Sequence, residues 1–478
     1  MLGAVAHEAA RRFGDDTAYV AGDGRTVSYR QLDSAADEAA VGLLERGIGE
    51  GAVVALVLPQ SIEHVIAYVA AARVGAITAG VNTRLGPAEQ ARVLALAQPT
   101  VTVRELDDVR DLRVSGAQPP PLADDPERPV AIVFTSGTTG TPKGAVFGGR
   151  QLAFITEVDT GGRWGGGGAT FAATSFAHLG PTTKLAGSLM RGGVTHLLER
   201  WRASDAIRLI AENRMGSIGG IPTQVALILA DPSRREHDLS CVQAIVMGGG
   251  PATPALVREA RTELHAAVAI RYSCTEAGIG IGTALDGAAE DAEVSVGRPH
   301  AGVELSLRDP DDVERPMAGD GVGEVCLRSP AVMNGYWCAP EQTVEAFTPD
   351  LFVRTGDLGW LDEAGRLRLV GRSKEMYVRG GYNVYPMEVE GVLATHPGIA
   401  EVAVAARADD VMGEVGIAFV VLRPGADAVT LDALRDFAHD RLAGYKLPSD
   451  IRIVAALPLT AMEKLDRTAL RAQLELGG

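Results

Sequence analysis

The chain has 478 residues, 46% of them apolar, and a formal net charge of −16 at pH 7. This length exceeds what one ordinary hydrophobic core supports, so we expect at least two domains. The acidic balance argues against nonspecific nucleic-acid binding, which depends on basic patches.

Helical and strand patterns alternate over the first part of the chain, to about Asn82. In order, the pattern predicts a helix at 32–47, a buried strand at 52–59, a helix at 61–75 and a strand at 76–82. Ser61 suits the start of the second helix and Gly75 its end. Such alternation is typical of parallel sheets covered by helices.

The middle of the chain repeats this pattern after a proline-rich surface connection at 115–129. The glycine-rich stretch 161–170 predicts a flexible loop. Further strands, separated by helical stretches, are predicted at 194–199, 217–223, 244–250 and 268–276.

Past Ser295 the pattern changes to strand-turn-strand segments, with a hairpin turn at 362–365. A small α+β unit follows Arg372. We therefore expect an α/β fold with two domains, residues 1–372 and residues 373–478.

The thiols and the N-terminus both favour a cytoplasmic protein. Four cysteines without a CxxC pair argue against zinc and predict reduced, mostly buried thiols: Cys241, Cys274, Cys326 and Cys338. The opening stretch "MLGAVAHEAARRFGDD" has arginines and an acidic residue where a signal peptide is apolar. No apolar run reaches the roughly 18 residues of a membrane-spanning helix.

The stretch "TSGTTGTPKG", Thr135 to Gly144, follows a predicted buried strand. Its glycines let the backbone approach an anion, its hydroxyls add donors, and Lys143 adds a compact cation. It is not a Walker A loop, because Pro142 precedes the lysine and Gly144 follows it. The composition favours phosphate binding over the alternative, a surface turn without a ligand.

The same ten residues resemble the phosphate loop of the adenylate-forming superfamily. This superfamily includes acyl-CoA synthetases, firefly-type luciferases and the adenylation domains of peptide synthetases. Four further segments resemble its motifs in the expected order: "YSCTE" from Tyr272, "RTGD" from Arg354, "GRSKEMYVRGGYNVYPMEVE" from Gly371 and "LPLTAMEKLDR" from Leu457. With the N-terminal segment 27–61, the resemblance covers nearly the whole chain.

The resemblance implies a two-step reaction. A carboxylic acid and ATP first give an acyl-adenylate and pyrophosphate, and a thiol, usually that of coenzyme A, then displaces AMP. Tyr272 would stack on adenine, and Asp357 and Arg372 would bind the ribose hydroxyls. The residues implied to hold the nucleotide are Thr135, Ser136, Gly137, Thr138, Thr139, Lys143, Gly249, Gly250, Pro251, Tyr272, Asp357 and Arg372.

The resemblance also implies the catalytic residues of the first step. Thr275 would contact the α-phosphate, and Glu276 would help to hold Mg²⁺, with Thr138 as a second contact to the metal. Mg²⁺ usually takes one or two carboxylates plus phosphate oxygens, which one glutamate satisfies. Lys464 would bridge the substrate carboxylate and the α-phosphate, and so stabilise charge that grows in the transition state.

For the second step the resemblance implies a mobile C-terminal lid domain that turns about Lys374. After this motion Arg379, Gly380 and Gly381 would line the path of the coenzyme A thiol. It also implies a small β-barrel-like subdomain before Arg372.

Three positions depart from the family pattern. Glu463 replaces a glycine before Lys464, and Ser273 replaces a glycine after Tyr272. Ala177 stands where an aromatic residue often precedes the histidine, here His178, and leaves room for an acyl group. His178 itself lines the tunnel between carboxylate and thiol, or is a hydrogen-bonded loop histidine; the sequence leaves both open.

The acyl pocket is expected between "SFAHLG", "GGIPT" and "GGGP", which are small and apolar. We find no obvious acidic partner for a substrate amino group, so we predict a fatty, aromatic or polycyclic non-amino acid. Lys184 could contact a distal polar group of the acid, but the favoured interpretation is a surface lysine on a helix.

The leading hypothesis is an acid–CoA ligase that uses ATP, Mg²⁺ and coenzyme A. Loading of a carrier-protein phosphopantetheine is the first alternative, and a homodimer is left open. A luciferase-like oxygenase has no support from the residues. A catalytically silent nucleotide-binding protein is favoured by Glu463 alone.

Overall fold

The computed structural model describes residues 1–135, 142–172, 174–317, 321–460 and 464–475. Five residues singled out from the sequence lie outside these ranges: Ser136, Gly137, Thr138, Thr139 and Glu463. None of the helices in the described ranges is both long and apolar enough to cross a membrane.

The first part of the chain builds a five-stranded sheet and the helices that cover it. The helices are α1 (Leu2–Phe13), α2 (Tyr29–Glu45), α3 (Ile62–Arg73), α4 (Pro87–Ala97), α5 (Leu106–Asp111) and α6 (Gly149–Thr160). The strands are β1 (Thr17–Val20), β2 (Thr26–Ser28), β3 (Val53–Leu56), β4 (Ile77–Gly80), β5 (Val101–Val103), β6 (Pro129–Phe134) and β7 (Gly144–Gly148). Strands β5, β3, β4 and β6 are parallel, and β7 pairs antiparallel with β6. All four residues of β3 are buried, as in a sheet covered on both faces.

The next part adds two sheets. Its helices are α7 (Leu179–Arg191), α8 (Ala203–Glu212), α9 (Pro222–Ala230), α10 (Pro254–Leu264) and α11 (Asp291–Val294), with a 3-10 helix at Pro232–Glu236. Its strands are β8 (Thr170–Ala172), β9 (Thr195–Leu197), β10 (Ser217–Gly220), β11 (Ala244–Gly248), β12 (Ala267–Tyr272), β13 (Ile281–Gly282) and β14 (Arg298–Pro299). One sheet has the order β2-β1-β9-β8 and the other β10-β11-β12-β13-β14, in which β10, β11 and β12 are parallel.

The β-rich part before Arg372 is an antiparallel four-stranded meander. It consists of β15 (Glu304–Arg308), β16 (Gly323–Arg328), β17 (Val353–Leu361) and β18 (Leu367–Arg372), with helix α12 (Pro340–Glu345) between β16 and β17. The predicted hairpin turn joins β17 to β18, where Gly365 has a φ of +71° that favours glycine.

The C-terminal unit is a small α+β structure. Its elements are β19 (Tyr377–Arg379), β20 (Tyr382–Val384), α13 (Pro386–Leu393), β21 (Ile399–Asp409), β22 (Gly413–Leu422), α14 (Leu431–Ala438), a 3-10 helix at Gly444–Lys446, β23 (Asp450–Ile453) and α15 (Arg467–Glu475). The sheet has the order β20-β19-β22-β21, and β23 pairs with β22.

The predicted α/β fold with a smaller C-terminal α+β unit is confirmed. The boundary at 372/373 and the hinge at Lys374 stay predictions; Lys374 lies exposed in the turn between β18 and β19.

Two sequence-based expectations differ from the structure. The glycine-rich stretch is tied to the end of α7, because Gly165 and Gly167 donate 2.9 Å hydrogen bonds to the carbonyls of Met190 and Arg191. The four cysteines are free, but only Cys326 is buried, while Cys338 is exposed and the other two are half-buried.

Candidate active site

The floor of the candidate site is the edge where β11 and β12 end. These strands are parallel neighbours, and Gly248 lies opposite Arg271, so the loop of Gly249, Gly250 and Pro251 follows β11 beside Tyr272. Gly249 has a φ of +77°, a conformation that favours glycine. A side chain at Gly250 would lie 3.5 Å from Pro222, so this loop also approaches the start of α9.

A carboxylate with two protein partners lies next to this edge. Asp357 on β17 faces Arg372 on β18 in the strand register, and Arg372 Nε donates to Asp357 Oδ1 over 2.9 Å. The hydroxyl of Tyr272 donates to Asp357 Oδ2 over 2.8 Å. Burial raises the pKa of the Asp357 carboxyl, and the Arg372 guanidinium opposes that shift. Since a carboxylate offers about four acceptor positions, Asp357 can still accept hydrogen bonds from a ligand.

The terminal lysine of the family motif, Lys464, lies within electrostatic range of this carboxylate. Burial and the charge of Arg372 lower the pKa of the Lys464 ammonium, and the charge of Asp357 opposes that change. The backbone around Lys464 is held by Thr460, whose N–H donates to the Lys464 carbonyl over 2.7 Å. The C-terminal unit thus places a half-buried cation within electrostatic range of Asp357 on β17 and Arg372 on β18.

His178 approaches Lys464 from another side. It stands directly before α7, and its Nε2 lies 3.2 Å from the side-chain nitrogen of Asn82. Burial, and then the charges of Lys464 and Arg84, lower the pKa of His178 to about 4. The imidazole is therefore neutral near pH 7 and lies within electrostatic range of Lys464.

Ala177 lies against β4. It is buried, and a side chain at Gly80 on β4 would lie 2.7 Å from the Ala177 Cα, so this close approach requires a glycine at position 80. That Ala177 leaves room for an acyl group stays a prediction.

Glu276, Tyr336 and Lys143 form a second group in the site. The hydroxyl of Tyr336 donates to Glu276 Oε1 over 2.6 Å, and the Lys143 ammonium lies 4.8 Å from the centre of the Tyr336 ring. Thr135 accepts at its Oγ1 from the Lys143 N–H over 3.2 Å. Thr275 precedes Glu276, and its carbonyl accepts from the N–H of Gly278 over 3.3 Å.

Tyr336 was missed from the sequence. It belongs to the stretch "NGYW", which contains two adjacent aromatic residues in a chain that is only 5% aromatic. The rarity of such a pair was the sequence signal that could have identified Tyr336. Within the described residues no three His, Cys, Asp or Glu side chains gather as metal ligands. A single carboxylate, that of Glu276, fits an ion that takes its remaining ligands from phosphate and water.

Cys274 lies within the motif but has an unreactive thiol. Burial, and then the charges of Glu276 and Asp357, raise its pKa well above the ordinary value. The thiol stays protonated, so it does not serve as a nucleophile.

The residues predicted for the thiol path lie elsewhere in this structure. Arg379 Nη1 donates to the carbonyls of Tyr445 and Leu447 over 3.0 and 2.6 Å, within the C-terminal unit. Gly380 and Gly381 form the tip of the β19–β20 hairpin with φ of +57° and +85°. The structure therefore brings together Tyr272, Asp357, Arg372, Lys464 and His178, but not the hairpin.

Two family models match the chain. The AMP-binding enzyme model matches residues 6–337, and the model of the AMP-binding enzyme C-terminal domain matches residues 388–464.

Curated relatives and solved structures agree with these matches. The chain is 30% identical to the long-chain-fatty-acid–CoA ligase FadD13 of Mycobacterium tuberculosis, with 94% of this chain and 93% of that protein covered. It is 32% identical to a propanoyl:CoA ligase of the same organism whose acyl group bears a 7a-methyl-1,5-dioxo-octahydroindenyl ring, with 98% and 97% covered. The ATP-bound structure of MatB from Rhodopseudomonas palustris superimposes with a TM-score of 0.86 at 26% identity, with 100% of both chains covered.

Proposed function

Because the chain belongs to the AMP-binding enzyme family and is an acid–thiol ligase, we propose that it activates a non-amino, hydrophobic carboxylic acid with ATP and transfers the acyl group to coenzyme A. In the first step a carboxylate oxygen bonds to the α-phosphorus and pyrophosphate leaves. In the second step the coenzyme A sulfur bonds to the acyl carbon, its proton is released and AMP leaves.

The observation that carries this proposal is the position of Lys464 beside Asp357 and Arg372. A carboxylate and a triphosphate repel each other, so adenylation needs a cation where the two anions meet. Lys464 is half-buried and close enough to the carboxylate that we assign to ribose binding for the two charges to interact, and the neutral His178 leaves the charge of Lys464 available.

The nucleotide would lie between the two groups of residues described above. Asp357 would accept from the ribose hydroxyls with Arg372 beside it, and the ring of Tyr272 would stack on adenine near Gly249–Pro251. Lys143 would bind the outer phosphates together with Ser136, Gly137, Thr138 and Thr139. Thr275 would contact the α-phosphate.

Magnesium fits the group around Glu276. The ion would draw charge from the phosphate oxygens and so weaken the bond to pyrophosphate. Glu276 would hold it, and the Tyr336 hydroxyl fixes the orientation of that carboxylate through its 2.6 Å hydrogen bond.

The second step would use the C-terminal unit in another orientation. Rotation about Lys374 would remove Lys464 and bring the hairpin of Arg379, Gly380 and Gly381 to the acyl-adenylate. The positive φ angles of the two glycines suit a backbone that lies against a thin pantetheine chain. A cytoplasmic location and a homodimer remain predictions.

The ion pairs of the Asp159 carboxylate, which lies near α7, favour a substrate without an amino group. Asp159 already pairs with Arg191, and its Oδ1 lies 3.7 Å from the Lys184 ammonium. A substrate ammonium would have to displace these cations, which disfavours amino acids.

The test is pyrophosphate release with a panel of acids, first without thiol. AMP formation is then compared with coenzyme A and with a carrier protein as acceptor. We expect release with hydrophobic acids and turnover with coenzyme A. Turnover with a carrier protein alone would favour the loading enzyme, and ATP binding without release would favour a silent nucleotide-binding protein.

A further inference from the structure

A group of charged and polar side chains lies around the end of β12 and helix α7. It consists of Arg271 at the end of β12, Lys184 on α7 and the imidazole of His300, together with Asp159 at the end of α6. Burial, and then the charges of Arg271 and Lys184, lower the pKa of His300, which places both cations near the same ring.

Arg271 is half-buried and has no carboxylate within ion-pair distance among the described residues. Its Nη1 donates to the carbonyls of Ile270 and Thr283 over 3.1 and 2.6 Å. Its Nε and Nη2 donate to none of the residues in the described ranges. A partly buried guanidinium with unused donors is a site for an anion, because pairing offsets the cost of burial.

The other charges do not neutralise the group. Asp159 is shared by Lys184 and Arg191, and its charge also acts on Arg271, so three cations lie around one carboxylate. Lys184 is 43% exposed and 3.7 Å from that carboxylate, longer than a hydrogen bond. Its ammonium is therefore free to move to a ligand.

Glycines create the space for this group. A side chain at Gly282 would lie 2.8 Å from Arg271 Nη1 and 3.0 Å from His300 Nε2, and one at Gly187 would lie 2.7 Å from Asp159 Oδ2. A side chain at Gly248 would lie 3.3 Å from the Arg271 Cβ, so the surface between Arg271 and the loop of Gly249 is left open.

The group is connected to the reaction site by two elements. Tyr272, whose hydroxyl binds Asp357, directly follows Arg271. His178 precedes α7, and Lys184 follows six residues later, about 9 Å along a helix. An acid whose reacting carboxylate lies at Lys464 and His178 would therefore extend towards the cations.

We propose that Arg271 and Lys184, with His300, bind a second carboxylate at the far end of the acyl substrate, so that the preferred acid is an elongated dicarboxylic acid. This assignment rests on the proposed function and narrows it. Lys184 is then a substrate-binding residue and not the surface lysine favoured from the sequence.

The experiment compares three series of straight-chain acids of equal length in pyrophosphate release: monocarboxylic, ω-hydroxy and α,ω-dicarboxylic acids. At the best length, kcat/KM for the dicarboxylic acid should exceed that for the other two by at least about tenfold. Lys184→Met should lower kcat/KM for the dicarboxylic acid about tenfold more than kcat/KM for the monocarboxylic acid. Lys184→Glu should reverse it in favour of an ω-amino acid.

Arg208→Met is the matched control, since Arg208 is 47% exposed on α8 and pairs with Glu212. It should leave the preference unchanged. A wild-type preference for monocarboxylic acids, an equal response to ω-hydroxy acids, or an equal loss for all acids in Lys184→Met would overturn the dicarboxylate assignment while the ligase function stands. Release with no acid at all would refute the ligase function and, with it, this assignment.

Discussion

The hydroxyl oxygen of Tyr336 lies 2.6 Å from Oε1 of Glu276, and the ring of the same tyrosine lies 4.8 Å from the Lys143 ammonium. One side chain thus contacts both the carboxylate that we assign to Mg²⁺ and the cation that we assign to phosphate. Tyr336 is 9% exposed, so its orientation is fixed by packing. We assign it the role of a positioning residue.

Tyr336→Phe should raise the Mg²⁺ concentration needed for half-maximal pyrophosphate release by about tenfold, because Glu276 loses the hydrogen bond that orients it. The ring remains, so the contact with Lys143 is kept. Tyr336→Leu should also raise KM for ATP. The measurement is a Mg²⁺ titration at saturating ATP and acid.

Tyr377→Phe is the control for that experiment. Tyr377 is 1% exposed, and its hydroxyl has no hydrogen-bond partner within the described part of the chain. Its removal should leave the Mg²⁺ dependence unchanged. An unaltered Mg²⁺ dependence in Tyr336→Phe would contradict the positioning role.

Lys464→Ala should lower the rate of adenylation by at least about a hundredfold, because Lys464 is the cation that we assign to the place where the carboxylate meets the α-phosphate. Thioester formation from supplied acyl-adenylate should largely persist. Arg471→Ala, at an exposed position of α15, is the control for loss of a cation from the same unit. Equal losses in both half-reactions would show that Lys464 has a structural role.

Lys374→Pro should block thioester formation and leave adenylation intact, because proline restricts the backbone at the proposed hinge. Lys374→Ala should retain both half-reactions. It therefore distinguishes the effect of restricting the backbone from the effect of losing the lysine side chain. The measurement compares single-turnover rates of the two half-reactions. A parallel fall of both rates in the proline variant would exclude this hinge.

His64 should make stability depend on pH. Burial lowers its pKa from 6.5 to about 4, and the ring is 2% exposed in α3. Between these two values the unfolded chain binds more protons than the folded one, so stability falls as the pH falls from 6.5 towards 4. Between pH 7 and pH 5 the loss attributable to His64 should be about 2 kcal/mol.

His64→Leu should remove this part of the difference in the free energy of unfolding between pH 7 and pH 5, as measured by urea denaturation. His439→Leu is the control, because His439 is 76% exposed. An identical pH dependence in wild type and His64→Leu would mean that His64 does not titrate with unfolding.

Local features could be predicted because they depend on neighbouring residues. Ser61 caps α3 as expected, with its Oγ accepting from the His64 N–H over 3.1 Å. Asp357 and Arg372, 15 residues apart, face each other because the predicted hairpin turn sets the register of β17 against β18.

Pairs far apart in the chain could not be predicted. Tyr336 is 60 residues from Glu276, and Asp159, Lys184 and Arg271 lie on three separate elements. Residue spacing does not specify how such elements pack. The contact of Gly80 with Ala177 was not predicted for the same reason.

Arg372 ends β18 only two positions before Lys374, whereas Lys464 lies ninety residues further along the chain. A pivot at Lys374, so near the proposed nucleotide site, would leave Asp357 and Arg372 almost stationary, while Lys464 would be carried away with the C-terminal unit. Under the proposed rotation, the reactive mixed anhydride would stay anchored by its sugar as the lysine departs. The acyl-adenylate would then be less prone to dissociate into water and hydrolyse before coenzyme A arrives.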